Sequence, residues 1–184
     1  MKRFFVGACV LALLIAAPVA AEAKTKTHPV KPAAPVTAAP APVVHNYPAP
    51  EAAIASTVVV PPGYTTVYVS GMVPDVADLT APAGTYAAYG STEVQTESVL
   101  AKLDAALKAQ GCTFGDVVSM HVFLVGDPAL DNKLDFAGMM KAYKRHFGTP
   151  DQPNRPTRAT VQVAALAAPG FLVEIEVIAV KAAK

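Results

Sequence analysis

The sequence predicts an α+β domain in the order ββαβαββ, one sheet carrying two helices on a single face. Three observations predict it. Only two stretches carry apolar residues at helical spacing, around 91–110 and 134–147. Short β-branched runs bounded by Pro and Gly turns supply the strands. The strands also have unequal faces, one wholly apolar and the other mixed, which suits a sheet covered by helices on one side.

In chain order, Thr57–Val60 is a short β run, Pro61-Pro62-Gly63 a turn, and Thr65–Ser70 a second strand. A loop rich in Pro, Gly, Ala and Tyr leads to a helix from about Ser91 to Gln110. Ser91 or Thr92 caps it, Val99, Leu100, Leu103, Ala106 and Leu107 form its stripe, and Gly111 ends it. A strand follows over Asp116–Val125. The second helix spans about Leu134–Phe147, with Phe136, Met139, Met140 and Tyr143 inward and Gly148 as its stop. The proline-rich loop Thr149–Pro156 precedes a strand at Arg158–Leu166, and a turn around Pro169-Gly170 gives the last strand, Phe171–Val180.

Alternation splits each strand in two. The faces expected under the helices are Val173, Ile175, Val177 and Ala179; Ala159, Val161, Val163 and Ala165; Val118, Met120, Val122 and Leu124; and Val67 and Val69. The opposite faces are mixed: Glu174, Glu176, Ile178; Arg158, Thr160, Gln162; Ser119, His121, Phe123; Tyr68, Ser70. They are too apolar for plain solvent surface and too polar for plain core, and two helices cannot cover both sides. An oligomer that buries the mixed face is the economical solution. The short connection between the last two strands predicts an antiparallel hairpin, with Thr160 opposite about Glu176, Gln162 opposite about Glu174 and Arg158 a rung away. Such a cluster is either a site or a structural Arg–Glu ion pair, and spacing does not separate the two. His121 on the mixed face reads as a packing histidine, and His146, beside Lys144 and Arg145 at a helix C-terminus, as surface.

Ahead of the domain (53–184), residues 1–23 read as a secretory signal: Lys2 and Arg3, then the apolar Phe4–Val19, then Ala21-Glu22-Ala23 as a cleavage site. Its removal leaves no stable membrane anchor and a periplasmic or secreted protein. Residues 24–52, with prolines at 29, 32, 35, 40, 42, 48 and 50, read as a disordered Pro/Ala-rich linker in which His28 and His45 are solvated. Cys112 remains as the one thiol of the mature chain and reads as a packing residue, since a single cysteine makes no internal bridge. With 15 Lys and Arg against 14 Asp and Glu, no basic footprint argues for nucleic acid.

Several segments resemble the Rid (YjgF-like) family in order. They are Tyr68-Val69-Ser70-Gly71-Met72-Val73-Pro74; Gln95 with Lys102-Leu103; Gly111; Asp116-Val117-Val118 leading to Val122-Phe123-Leu124; and Asp135-Phe136 with Tyr143 and Phe147. Pro156-Thr157-Arg158-Ala159-Thr160-Val161 and Val173-Glu174-Ile175-Glu176-Val177-Ile178-Ala179 carry the strongest likeness. The resemblance implies a chorismate-mutase-like (YjgF-like) fold, a homotrimer with sites at subunit interfaces, and hydrolysis of small 2-imino or 2-enamino acids without cofactor or metal. It implies Arg158 as the anchor for the substrate carboxylate and Glu174 as the group that activates water, with Ser70, Gly71 and Thr160 lining the pocket. Glu176 is a second pocket acid or a structural partner. Two positions depart from the family pattern. Ala53-Ile54-Ala55-Ser56 stands where the deaminases carry a tyrosine, and Met140 where they carry an asparagine. These departures keep a second reading open, a trimeric module that binds a small carboxylate without turnover.

Overall fold

The computed structural model describes residues 39–183. The expected signal (1–23) and the first part of the expected linker lie outside the described residues. Strands β1 (Val44–Asn46) and β2 (Thr57–Val59) form a small antiparallel sheet of their own. The main sheet contains β3 (Tyr64–Met72), β4 (Val117–Val125), β5 (Thr157–Val163) and β6 (Val173–Ala182) in the order β3-β6-β4-β5. Helix α1 (Tyr86–Tyr89) is a single turn; α2 (Thr92–Ala109) and α3 (Phe136–His146) pack on one face of the sheet. The α+β class holds, and the sheet is mixed. β3 and β4 both run antiparallel to β6, while β4 and β5 run parallel because α3 returns the chain to its starting edge.

The hairpin expected between the last two strands does not form. β6 is the most buried strand, with Val173, Ile175, Val177 and Ala179 sealed against the helices, and it takes the centre of the sheet. β5, whose Ala159, Val161 and Gln162 are exposed, takes an edge. A short connection permits a hairpin but does not require one; burial of the more apolar strand decides. Likewise the expected first strand, around Thr57, joins β1 and not the main sheet.

The core is built from Val99, Leu100, Leu103 and Leu107 of α2, Met139, Ala142 and Tyr143 of α3, and the inward residues of β4 and β6. Ser91 caps α2, its hydroxyl accepting from Val94 N–H. Buried Gln95 ties that helix to the connection between β5 and β6. Its Nε2 donates to the Gly90 and Gly170 carbonyls, both at 3.0 Å, and its Oε1 accepts from Leu172 N–H at 2.7 Å. A buried amide with all these partners costs nothing in unmet hydrogen bonds and fixes where β6 begins.

The linker boundary moves toward the N-terminus. Residues 44–52 are held against the domain by Arg155, whose guanidinium sits 3.9 Å over the Tyr47 ring and donates to the Pro50 and Ala52 carbonyls. The Arg155 N–H donates to Tyr47 Oη at 3.0 Å, and its carbonyl bonds His45 Nδ1 at 2.9 Å, so His45 is not simply solvated. Composition does not reveal a distant arginine that holds this segment. His146 also differs from its surface reading. It bonds Glu97 Oε1 at 2.6 Å and packs edge-on to Phe114. The hydrogen bonds of His146 and Arg145 outweigh burial and hold the Glu97 carboxyl below its usual range. Among the described residues no helix is long and apolar enough to cross a membrane.

Candidate functional site

The residues singled out from the sequence fall into two groups on opposite faces of the sheet. On β5, Arg158 is the register partner of Met120 and Thr160 that of Val122, both core residues of β4. Arg158 and Thr160 therefore face the helices, and it is Ala159 and Val161 that face out, the reverse of the expected split. Alternation separates two faces without saying which is inside, and the small, β-branched Ala159 and Val161 resemble core. What admits an arginine inside is an aromatic shelf. Its guanidinium carbon lies 4.5 Å from the Tyr143 ring centroid and 5.7 Å from that of Phe136. Tyr143 is held in place by donating to the Ala53 carbonyl at 2.9 Å and by stacking on Phe147.

Neither Arg158 Nη1 nor Thr160 Oγ1, both buried, has a hydrogen-bond partner among the described residues. Burial lowers the Arg158 pKa from its ordinary value and the Tyr143 phenol works against this, yet a guanidinium stays charged at any physiological pH. A buried, charged donor without a carboxylate is costly unless a ligand supplies the acceptor. Burial also pushes the Tyr143 phenol up to about 12, so it remains a neutral donor.

The second group lies on the open face. β3 bulges after Val69, so that Ser70 and Gly71 together oppose Glu176 between the Val69–Val177 and Met72–Ile175 pairs. This bulge brings Gly71 under the Glu174 side chain. A methyl group on Gly71 would stand 2.9 Å from Glu174 Cδ and collide with Oε1. The backbone of Gly71 is not in the left-handed region, so what the missing side chain provides is room for this close approach; any Cβ would push the end of the Glu174 side chain aside. Glu174 faces the same side as Phe123, its register partner on β4, and Glu176 the same side as His121. The expected Thr160–Glu176 adjacency is overturned. His121, and not Thr160, is the cross-strand partner of Glu176.

Arg158 and Glu174 thus stand on opposite faces, two strand positions and three residues of register apart, about 14 Å in the sheet plane. Within one chain the structure brings Ser70, Gly71 and Glu174 together and keeps Arg158 with Thr160 elsewhere. Sequence reasoning missed the supporting residues, Tyr143 as shelf and the His121–Glu176 pair. Tyr143 was visible only as an inward helix residue, and the pairing of His121 depends on a sheet order that spacing does not contain. At the two departures, the Ala53 carbonyl receives Tyr143, and Met140 packs against the core. Cys112 is buried, and burial with the Asp116 carboxylate raises its thiol pKa, in keeping with a packing residue. Among the described residues no three His, Cys, Asp or Glu converge to hold a metal ion.

Comparison with known proteins places this geometry. The family model described as endoribonuclease L-PSP matches residues 46–181. A 2-iminobutanoate/2-iminopropanoate deaminase of Mus musculus is 37% identical over 116 residues, 63% of this chain and 74% of the mouse protein. A RutC family protein of Synechocystis is 37% identical over 91 residues; the match takes in 50% of this chain and 62% of that protein, less than two thirds of its length. Among solved structures, a Rid-family protein of Yersinia pestis of unknown function superposes with a TM-score of 0.51 at 22% identity, covering 69% of this chain and 86% of its own.

Proposed function

Since the chain belongs to the endoribonuclease L-PSP family, the YjgF/Rid group, we propose that it hydrolyses small 2-imino or 2-enamino acids to 2-keto acids and ammonia. The observation that carries this reading is the buried, unpartnered Arg158 on its aromatic shelf. A planar guanidinium with free N–H groups suits a planar carboxylate through paired, charge-assisted bonds. Thr160 Oγ1, also without a partner, adds a hydroxyl to the same wall.

Glu174 is the proposed proton carrier. Water adds to the electrophilic imine carbon and gives its proton to this carboxylate, which returns it to the nitrogen. The carbinolamine so formed then breaks its C–N bond, releasing ammonia and the keto acid. Arg158 and Glu174 serve one substrate only if separate copies contribute them. Their placement on opposite faces supports a site shared between copies in a homotrimer whose open sheet faces are covered. The Lys2-Arg3 start and apolar stretch of residues 1–23 support action in the periplasm or outside the cell.

The test is keto-acid release from 2-iminopropionate generated in situ by an amino-acid oxidase, with semicarbazide trapping free imine. The wild-type chain is expected to shorten the imine's lifetime and Arg158→Ala to leave it unchanged. A second reading has an observation of its own. Ala53-Ile54 and Met140 provide neither phenol nor amide to the site, which favours a small-carboxylate binder without turnover. Saturable binding of pyruvate by the wild type, with no acceleration of imine decay, would establish it.

A further inference from the structure

The open face carries a second polar pair that the scheme above does not use. β4 and β6 set His121 directly opposite Glu176, and His121 Nδ1 lies 2.8 Å from Glu176 Oε1. The two side chains are 46% and 45% exposed and line a cavity of about 380 Å³ together with Tyr68, Ser70, Ser119 and Ile178. As a stabilising contact the pair contributes little. A half-exposed cross-strand pair is screened by solvent. As a chemical device it is specific. An ionised carboxylate only accepts, so Nδ1 carries the proton, and in the neutral ring Nε2 is left with a free lone pair. The same orienting role is played by carboxylates behind basic histidines in other sites.

The cavity also adjoins Glu174. Ser70 lines it, the neighbouring Gly71 lies under the Glu174 carboxylate, and Glu174 precedes Glu176 by two residues on the same face of β6. Glu174 is thus the diagonal neighbour of His121 on the open face, with residue positions about 7–8 Å apart, so one small substrate between them can meet both side chains. The groups facing His121 are Glu176 from β6, Ser119 from its own strand, Tyr68 and Ser70 from β3, and Ala159 from β5. None of these is a cation.

We propose that His121, oriented by Glu176, is a second proton carrier of this site and takes the hydroxyl proton when the carbinolamine collapses. The proposal rests on the deaminase reading and divides the labour within it. Glu174 moves the proton of the attacking water to the imine nitrogen. In the next step the carbinolamine O–H bond breaks toward His121 Nε2, the C=O bond forms and the C–N bond breaks. The nitrogen takes up that proton and leaves as ammonia. Imine and water go in, keto acid and ammonia come out, and His121 ends as it began.

The test compares the full chain with His121→Gln, Glu176→Gln and Glu174→Gln in the imine assay, alongside melting temperatures. His121→Gln retains a donor toward Glu176 but no base, and its position is half exposed, so the fold should survive. The expected result is a kcat about a hundredfold lower with KM unchanged. Glu176→Gln should fall in the same direction by a smaller factor. An unaltered kcat in His121→Gln overturns the proposal while the deaminase reading stands, and so does a raised KM alone. If the wild type releases no keto acid, the deaminase reading falls and the proton-carrier role with it. Histidine ring ¹⁵N spectra then decide whether the pair is a ligand site at all. A His121 Nε2 resonance that moves on adding pyruvate and ammonium keeps it as one, and an unmoved resonance removes it.

Discussion

The helix-covered side of the sheet and its open side both hold charged groups, but they hold them by different means. Under the helices Arg158 is fixed by aromatic faces and has no counter-ion among the described residues, so its charge is directed at whatever enters. On the open side Glu174 is fixed by a missing side chain, the bare backbone of Gly71, and Glu176 by a histidine across the strand. One side positions by packing and is rigid; the other positions by close approach and is accessible. A cation held by stacking keeps its hydrogen-bond donors free, which an ion pair would consume. A carboxylate over a glycine can lie close to the backbone of the neighbouring strand, with Glu174 Oε1 in the space a side chain would fill.

The largest effect tests whether the two sides act on one molecule. Arg158→Ala and Glu174→Gln should each reduce keto-acid release to background. Unfolded together and refolded in equal amounts, the two inactive chains should recover about a quarter of wild-type activity, because about a quarter of shared sites pair an intact arginine with an intact glutamate. Sites complete within one chain would recover nothing. Next in size, Gly71→Ala pushes the Glu174 carboxylate aside. It should lower kcat more than tenfold with little change in urea unfolding, because only the mobile end of Glu174 has to move, while pyruvate affinity, set by the other side, stays close to wild type. Preserved turnover in Gly71→Ala would separate Glu174 from the chemistry.

Smaller is the effect of an aspartate at Val161, which is 47% exposed on the outward face of β5. If the proposed homotrimer buries this face, sedimentation should show Val161→Asp shifted toward single chains with its secondary structure intact; an unchanged mass places the contact elsewhere. Smallest is Tyr143→Phe, which keeps the shelf and loses one hydrogen bond to Ala53, about 1 kcal/mol. The fold raises this phenol from 10.0 to about 12, so the stability it contributes is complete below pH 10 and is lost as pH rises through 12. The wild type should show an absorbance step near pH 12 that Tyr143→Phe lacks.

How far the sequence reaches follows the same division. The long helices, and the faces of β6 and most of β4, are legible because one set of alternating residues is wholly apolar. At the start of β4 a bulge reverses the reading, so that Val117 is buried and Val118 only partly. β5 is ambiguous because Ala159 and Val161 look like core and Arg158 does not. The hairpin prediction fails for a related reason, since strand order is a property of the whole sheet and a short loop is not. Ser70, Gly71 and Glu174 were legible as a group through the family likeness. The support for Arg158 was not, because its shelf, Phe136 and Tyr143, comes from α3, and Tyr143 is held in turn by Ala53, some ninety positions away in the chain.

The position of β6 has a consequence for how this chain comes into being. β3 and β4 never touch as strands; each finds its partner in β6, the last strand to be synthesised. Until residues 173–182 are available, the only part of the main sheet that can close is the β4–β5 edge, and α2 has half a surface to cover. Closure of the sheet therefore waits for β6 and proceeds through contacts distant in the chain, which is slow. During that interval the nascent polypeptide presents unpaired strand edges. A ribosome stalled before β6 holds both long helices and three of the four main strands, but not the strand at the centre of the sheet.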